Sequence, residues 1–237
     1  MRAALLAGIW LMLALPAGAV GQEMTPAPPP VIEELGEGLY RIGSITVDKP
    51  ARRFTVPGRV IHLDDTLEYI AVTRGGMKEY ESLLELDVTG SEFQLACILV
   101  GLDDAQSVKP RYQFDEREAV GQSVELTISF EKGGERRTVR AANALLEGEE
   151  PFDDHGWVYI GSVTQENGEF MADMIGTLIG FVHDPFAIIE HGRGAGIGAY
   201  GLITGNAELL PPEGAPVTLG VEVVNESGGE ENKKRGE

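Results

Sequence analysis

The sequence predicts an α+β fold: a mostly antiparallel β-sheet packed around one buried helix at about residues 91–101. Three observations predict it. Apolar residues alternate in several segments, so that Val124, Leu126, Ile128 and Phe130 share one face of SVELTISF, and Val217, Leu219, Val221 and Val223 share one face near the end. The strand candidates are close neighbours in sequence, which favours antiparallel pairing. One segment, SEFQLACILVGL, is apolar nearly all round from Phe93 to Val100, the pattern of a helix surrounded by core.

The elements follow in chain order. Residues 1–21 read as a signal peptide, with Arg2 ahead of an apolar run from Ala3 to Leu15, a break at Pro16 and small residues at Ala17-Gly18-Ala19. The run is too short for a stable membrane span, which needs about 20 apolar residues. Residues 22–30, QEMTPAPPP, form a Pro-rich linker. A single globular domain then covers residues 31–225, and residues 226–237 form a polar tail, expected to be disordered. Within the domain, residues 40–47, 53–63 and 67–72 are strand candidates, the second interrupted at Pro57-Gly58 by an expected turn or bulge. Ser91 and Gln94 have capping-box spacing and Gly101 suits the helix end. Gly133-Gly134 turns SVELTISF into ERRTVRAA, and Gln165 to Gly168 lies between the strand candidates WVYIGSVT and EFMADM. TLIGFVH is a further strand, and PFAIIEH suggests a short helical turn.

Charge and cysteine content narrow the function. Thirty-eight Asp and Glu against 19 Lys and Arg give a formal charge of −19. Nucleic-acid binding and docking on anionic lipid both depend on cationic groups, so both are disfavoured. Cys97 is the single cysteine. It cannot form an internal disulfide, and inside an apolar helix it reads as a small core residue.

No motif names a chemistry. HGRGAGIGAYG contains G-x-G-x-x-G at Gly196, Gly198 and Gly201, but LITGNAELLPP follows it and leaves no room for the helix that a dinucleotide loop requires. The four histidines, His62, His155, His183 and His191, lack the H-x-H and H-E-x-x-H spacings, although His183-Asp184 and His191 could converge across PFAIIE. Ser44 and Ser162 lack the nucleophile elbow. The most distinctive polar cluster is KEYES, residues 78–82. Lys78, Glu79, Glu81 and Ser82, with His183 and Asp184, are therefore the candidate ligand-binding residues. No catalytic residue, metal ligand or cofactor-binding residue is assigned. Glu81 and Ser82 are expected to brace the loop entering LLEL, with the Glu81 carboxylate accepting backbone N–H bonds.

The stretch GGMKEYESLLELDVTGSEFQLACILVGL resembles the YdjY-type domain of exported bacterial proteins. Further matches are Trp157 to Ser162, Asp173 followed by GTLIGFV, and Pro212, Gly214, Pro216 and Val217. The resemblance covers most of residues 45–223 and implies an exported domain without assigning an activity. A ferredoxin-like label sometimes attached to the family does not fit an iron–sulfur protein here, since a cluster needs about four cysteine ligands. The expected function is an exported, non-catalytic binding or envelope-assembly domain without a cofactor, located in the periplasm or outside the cell. Its partner would be an envelope protein or a small molecule. The alternative is a hydrolase acting on an envelope substrate from a site near residues 78–82.

Overall fold

The alternation that marks the strands in the sequence produces them, but they close on themselves. The computed structural model describes residues 29–194 and 201–224. The signal segment, nearly all of the Pro-rich linker, the centre of the glycine loop and the tail lie outside the described residues. A meander opens the described chain: β1 (Ile32–Gly36), β2 (Leu39–Ile42), β3 (Ile45–Asp48) and β4 (Arg53–Val60). Next come β5 (Tyr69–Thr73), β6 (Ser82–Leu86) and helix α1 (Gly90–Leu99). The hairpin of β7 (Gln122–Lys132) and β8 (Glu135–Arg140) turns at Gly133-Gly134, as the sequence predicts. The short strands β9 (Leu145–Glu147), β10 (Glu150–Pro151) and β11 (Trp157–Tyr159) precede helix α2 (Met171–Ile175). The remaining strands are β12 (Thr177–Gly180), β13 (Ile189–His191), β14 (Ile203–Gly205) and β15 (Pro216–Val223).

Pairing runs β4-β15-β7-β11-β13-β12-β5-β6, and β6 returns to β4 through Gly58–Leu86, Arg59–Glu85 and Val60–Leu84. The result is a closed eight-stranded barrel. Strands β1 to β3 extend outward from β4, β8 branches off β7, and β9, β10 and β14 form a separate small sheet.

This overturns the α+β expectation. The described residues are 41% strand and 11% helix, and the core is the barrel interior rather than a helix wrapped by a sheet. Helix α1 turns Phe93, Ala96 and Cys97 inward while Ile98 is 52% exposed. Its nearly uniform apolar sequence arises because it covers the barrel end where β4 and β12 begin, with Phe93 edge-on to Phe54 and Gln94 donating to the Tyr159 hydroxyl. The capping box is present two residues earlier than the spacing suggested: Thr89 and Glu92 make it, and Ser91 instead bonds Asp173. Gly101 ends the helix with φ +88°.

Three further local expectations change. Pro57-Gly58 makes no turn. Strand β4 passes straight through it, and Pro57 falls where the neighbour on one side changes from β3, paired at Thr55, to β6, paired at Gly58. The missing N–H of proline is tolerated at such a gap in the ladder. A Cβ at Gly58 would lie 2.3 Å from the Glu85 carbonyl oxygen, so the close approach of β6 requires glycine. EFMADM supplies α2 rather than a strand, and PFAIIEH supplies β13 rather than a helical turn.

Candidate functional site

Four strand ends meet at the end of the barrel away from α1. Tyr69 at the start of β5 pairs with Ser82 at the start of β6 and with Gly180 at the end of β12, and Gly180 pairs with Glu190 of β13. The chain between β5 and β6 folds back through a single 3-10 turn, Glu79–Glu81, and the Glu68 N–H donates to the Glu81 carbonyl at 2.8 Å. These backbone bonds place polar side chains next to one another in a wall that is otherwise apolar.

The side chains connect in sequence. The Lys78 ammonium lies 2.6 Å from Glu81 Oε1 and stands over the rings of Tyr69 and Tyr80. The Tyr69 hydroxyl donates to Asp184 Oδ2 at 3.0 Å. Asp184 Oδ1 accepts the Phe186 N–H, and the Asp184 N–H donates to Glu190 Oε1 at 3.1 Å. Glu68 accepts from Gln113 at 2.7 Å, and Ser82 Oγ donates to the Lys78 carbonyl at 2.6 Å. Glu68, Ser82, Asp184 and Glu190 are all buried. Glu190 Oε2 has no hydrogen-bond partner among the described residues.

Burial sets the electrostatics. It raises the Glu68 carboxyl above the ordinary carboxylate range, and the Glu81 charge adds to the rise. Burial also raises Asp184, against the hydrogen bonds from Phe186 and Tyr69, and it raises the fully enclosed Glu190 furthest, helped by Asp184. The Tyr69 hydroxyl moves up for the same two reasons, burial and the Asp184 charge. For Lys78, burial acts downward, but the Glu81 hydrogen bond and charge prevail and the net shift is upward. Lys78 is the cation whose field favours ionisation of both Glu68 and Asp184.

Of the residues singled out from sequence, the structure thus joins Lys78, Glu81, Ser82 and Asp184. Glu79 is half-buried and takes no part in these bonds. His183, next in sequence to Asp184, turns the other way: its ring lies between the Asp115 carbonyl at 2.7 Å and the His191 carbonyl at 3.1 Å. His183 and His191 therefore do converge, but through a backbone carbonyl. Asp115 in turn is clasped by Arg117 and Arg111, whose hydrogen bonds hold it well below the usual carboxylate range. Burial, with the neighbouring His155, lowers His191 to about 4. Glu81 departs from expectation, since its carboxylate engages Lys78 rather than backbone N–H groups. Cys97 is fully buried, and burial pushes its thiol up. Among the described residues no three His, Cys, Asp or Glu side chains form a metal-holding group.

Glu68, Tyr69, Gln113 and Glu190 were not singled out by sequence reasoning. The available signal was a lone acid in an apolar run, Glu190 after Phe186 to Ile189 and Glu68 before Tyr69 to Val72. Two grooves lie elsewhere. A groove of about 420 Å³ includes Ser129, Arg136, Pro216 and Thr218, and one of about 330 Å³ includes Thr55, Glu125, Thr127 and Glu222. The first lies where β15 meets β7 and β8, and the second where β15 meets β4 and β7.

The model of the YdjY domain family matches residues 45–222. The chain belongs to the YdjY domain family. No curated protein and no solved structure matches it. The matched span begins at β3 and takes in every strand of the barrel, so the polar cluster belongs to the YdjY domain itself, while β1 and β2 precede the match.

Proposed function

We propose that this YdjY domain is an exported, non-catalytic binding or assembly module of the cell envelope. The contrast between its closed cluster and its open sheet carries the reading. Inside, Lys78, Tyr69, Asp184 and Glu68 bond to one another or to neighbouring groups in the wall. Outside, the wall of β4, β15 and β7 offers two grooves to solvent. The leader at residues 1–21 supports export. A hydrolase acting from the neighbourhood of residues 78–82 is the second reading, favoured by the buried carboxyls held above their ordinary range.

Photo-crosslinking in the native envelope separates the two. A photoreactive side chain at Thr218 or Thr55 is expected to trap a partner in proportion to expression. Turnover of ester, amide or glycoside substrates by purified protein, lost in Asp184→Asn and Glu81→Gln variants that remain folded, would establish the hydrolase instead. N-terminal sequencing from the native host is expected to begin near Val20, and a mature chain starting at Met1 would remove the export assignment.

A further inference from the structure

Strands β1, β2, β3, β4, β15, β7 and β8 form one continuous antiparallel sheet within the larger one. Among the described residues β1 pairs only with β2 and β8 only with β7. An open edge presents unpaired N–H and C=O groups ready to accept another strand. The two edges differ in charge. β1, IEELG, carries Glu33 and Glu34, and β8, ERRTVR, carries Arg136, Arg137 and Arg140. Arg136 and Arg137 are exposed and make no ion pair among the described residues, and Glu34 makes none either. Ile32 and Leu35 of β1 are 45% and 41% exposed, and Val31 just before it is 79% exposed.

We propose that β1 of one copy of this chain adds to β8 of a second copy, extending the sheet head to tail. This builds on the assembly reading above and names its partner as the chain itself. Charged side chains on an edge ordinarily keep like edges apart. Here each edge repels its own kind and attracts the other, so the arrangement selects β1–β8 contact over β1–β1 or β8–β8. The strand directions agree. All six pairings between β1 and β8 are antiparallel, so β1 and β8 run in the same direction. A repeat that keeps the sheet continuous therefore pairs them in parallel. In the register that sets Glu33 opposite Arg136, Glu34 falls opposite Arg137, and opposite charges directly across strands are favourable. The faces match too. Glu33 pairs with Arg41, and the ladder from Arg41 through Thr46, Thr55, Gly220 and Thr127 to Arg140 puts Glu33 on the same face as Arg136. Such a contact is heterologous, so it yields chains of growing length rather than a closed pair. The edges are 5 and 6 residues long, a small interface, so association is weak and rises with concentration.

Sedimentation of the purified full chain over a concentration series tests this. The wild type is expected to show an average mass that climbs past the dimer without a plateau. A Glu33→Arg/Glu34→Arg variant and an Arg136→Glu/Arg137→Glu variant are each expected to stay monomeric, with melting temperature little changed because all four positions are exposed and the ion pair lost, Glu33–Arg41, is a surface one. Mixed in equal amounts, the two variants carry complementary edges and are expected to recover the wild-type mass distribution. A wild type that is monomeric throughout, an assembly indifferent to both reversals, or a mixture that stays monomeric would each overturn the proposal. A monomer that still crosslinks to another envelope component through Thr218 or Thr55 would refute self-pairing while leaving the binding reading intact.

Discussion

The two halves of the barrel wall are built differently. In β4, β15 and β7 buried and exposed residues alternate: Phe54, Val56 and Val60 face inward in β4 and Leu219 and Val221 in β15, while Arg53, Thr55 and Glu222 meet water. In β5, β6, β12 and β13 nearly every residue is buried, on both faces, with Thr73 the exception. The small sheet lies against part of this half, where a Cβ at Gly205 would touch Leu63 and Leu83. The difference shows where the polar cluster could form. A carboxyl such as Glu190 becomes strongly perturbed only when both sides of its strand are sealed, because low dielectric on one side is relieved by water on the other.

Mutations can break that comparison, beginning with the largest effect. Leu83 and Leu84 point to opposite faces of β6, and both are fully buried. Alanine at either should cost about 2–5 kcal/mol in chemical denaturation, whereas in the alternating half only the inward position of a neighbouring pair should be this sensitive. Next comes Lys78. Its side chain is 23% exposed and it faces Glu81 at 2.6 Å, so Lys78→Ala leaves a buried acid without its partner. A loss of about 1–3 kcal/mol is expected, and Glu81→Gln should lower thermal stability by a comparable amount; equality of both variants with wild type would show that the pair braces nothing.

The pH response is a smaller effect and has two arms. Glu68, Asp184 and Glu190 hold their protons more tightly folded than unfolded. Their contribution is complete below about pH 4 and is lost as pH rises through their raised values. His191, lowered to about 4, acts in the opposite sense: its contribution is complete above about pH 6.5 and is lost as pH falls through the folded value. Melting temperatures should therefore fall on both sides of a mildly acidic maximum. Glu190→Gln keeps the shape and should flatten the alkaline arm alone, each tenfold change in proton affinity being worth about 1.4 kcal/mol. The smallest effect is expected at Thr55→Ala on the open face, within about 0.5 kcal/mol of wild type.

The same contrast governs what the sequence reveals. Strands β7 and β15 are plain in it because one-sided burial leaves a period of two. Residues 67–72 alternate only loosely because β5 is covered on both sides, which erases the period. Barrel closure is not legible, since the β4–β6 pairs join segments whose hydrophobic pattern would suit an open sheet equally well. Helix α1 is found but misplaced in the architecture, because an apolar helix across a barrel end has the composition of one inside a core. The site is half visible. Lys78, Glu81, Ser82 and Asp184 stand out as polar groups, yet what links Lys78 to Asp184 is Tyr69, an unremarkable strand residue until Asp184 is placed beside its hydroxyl.

The position of β15 has a consequence for the order in which the molecule can be made. It hydrogen-bonds β4 along Arg53 to Arg59 on one side and β7 along Val124 to Phe130 on the other, and it is the last strand among the described residues. Contacts so distant in sequence form slowly, since a long loop must close before they stabilise anything. During synthesis the hairpin of β7 and β8 and the meander of β1 to β4 can form as each emerges. The barrel cannot close until β15 joins them, and until then β4 and β7 have no strand between them.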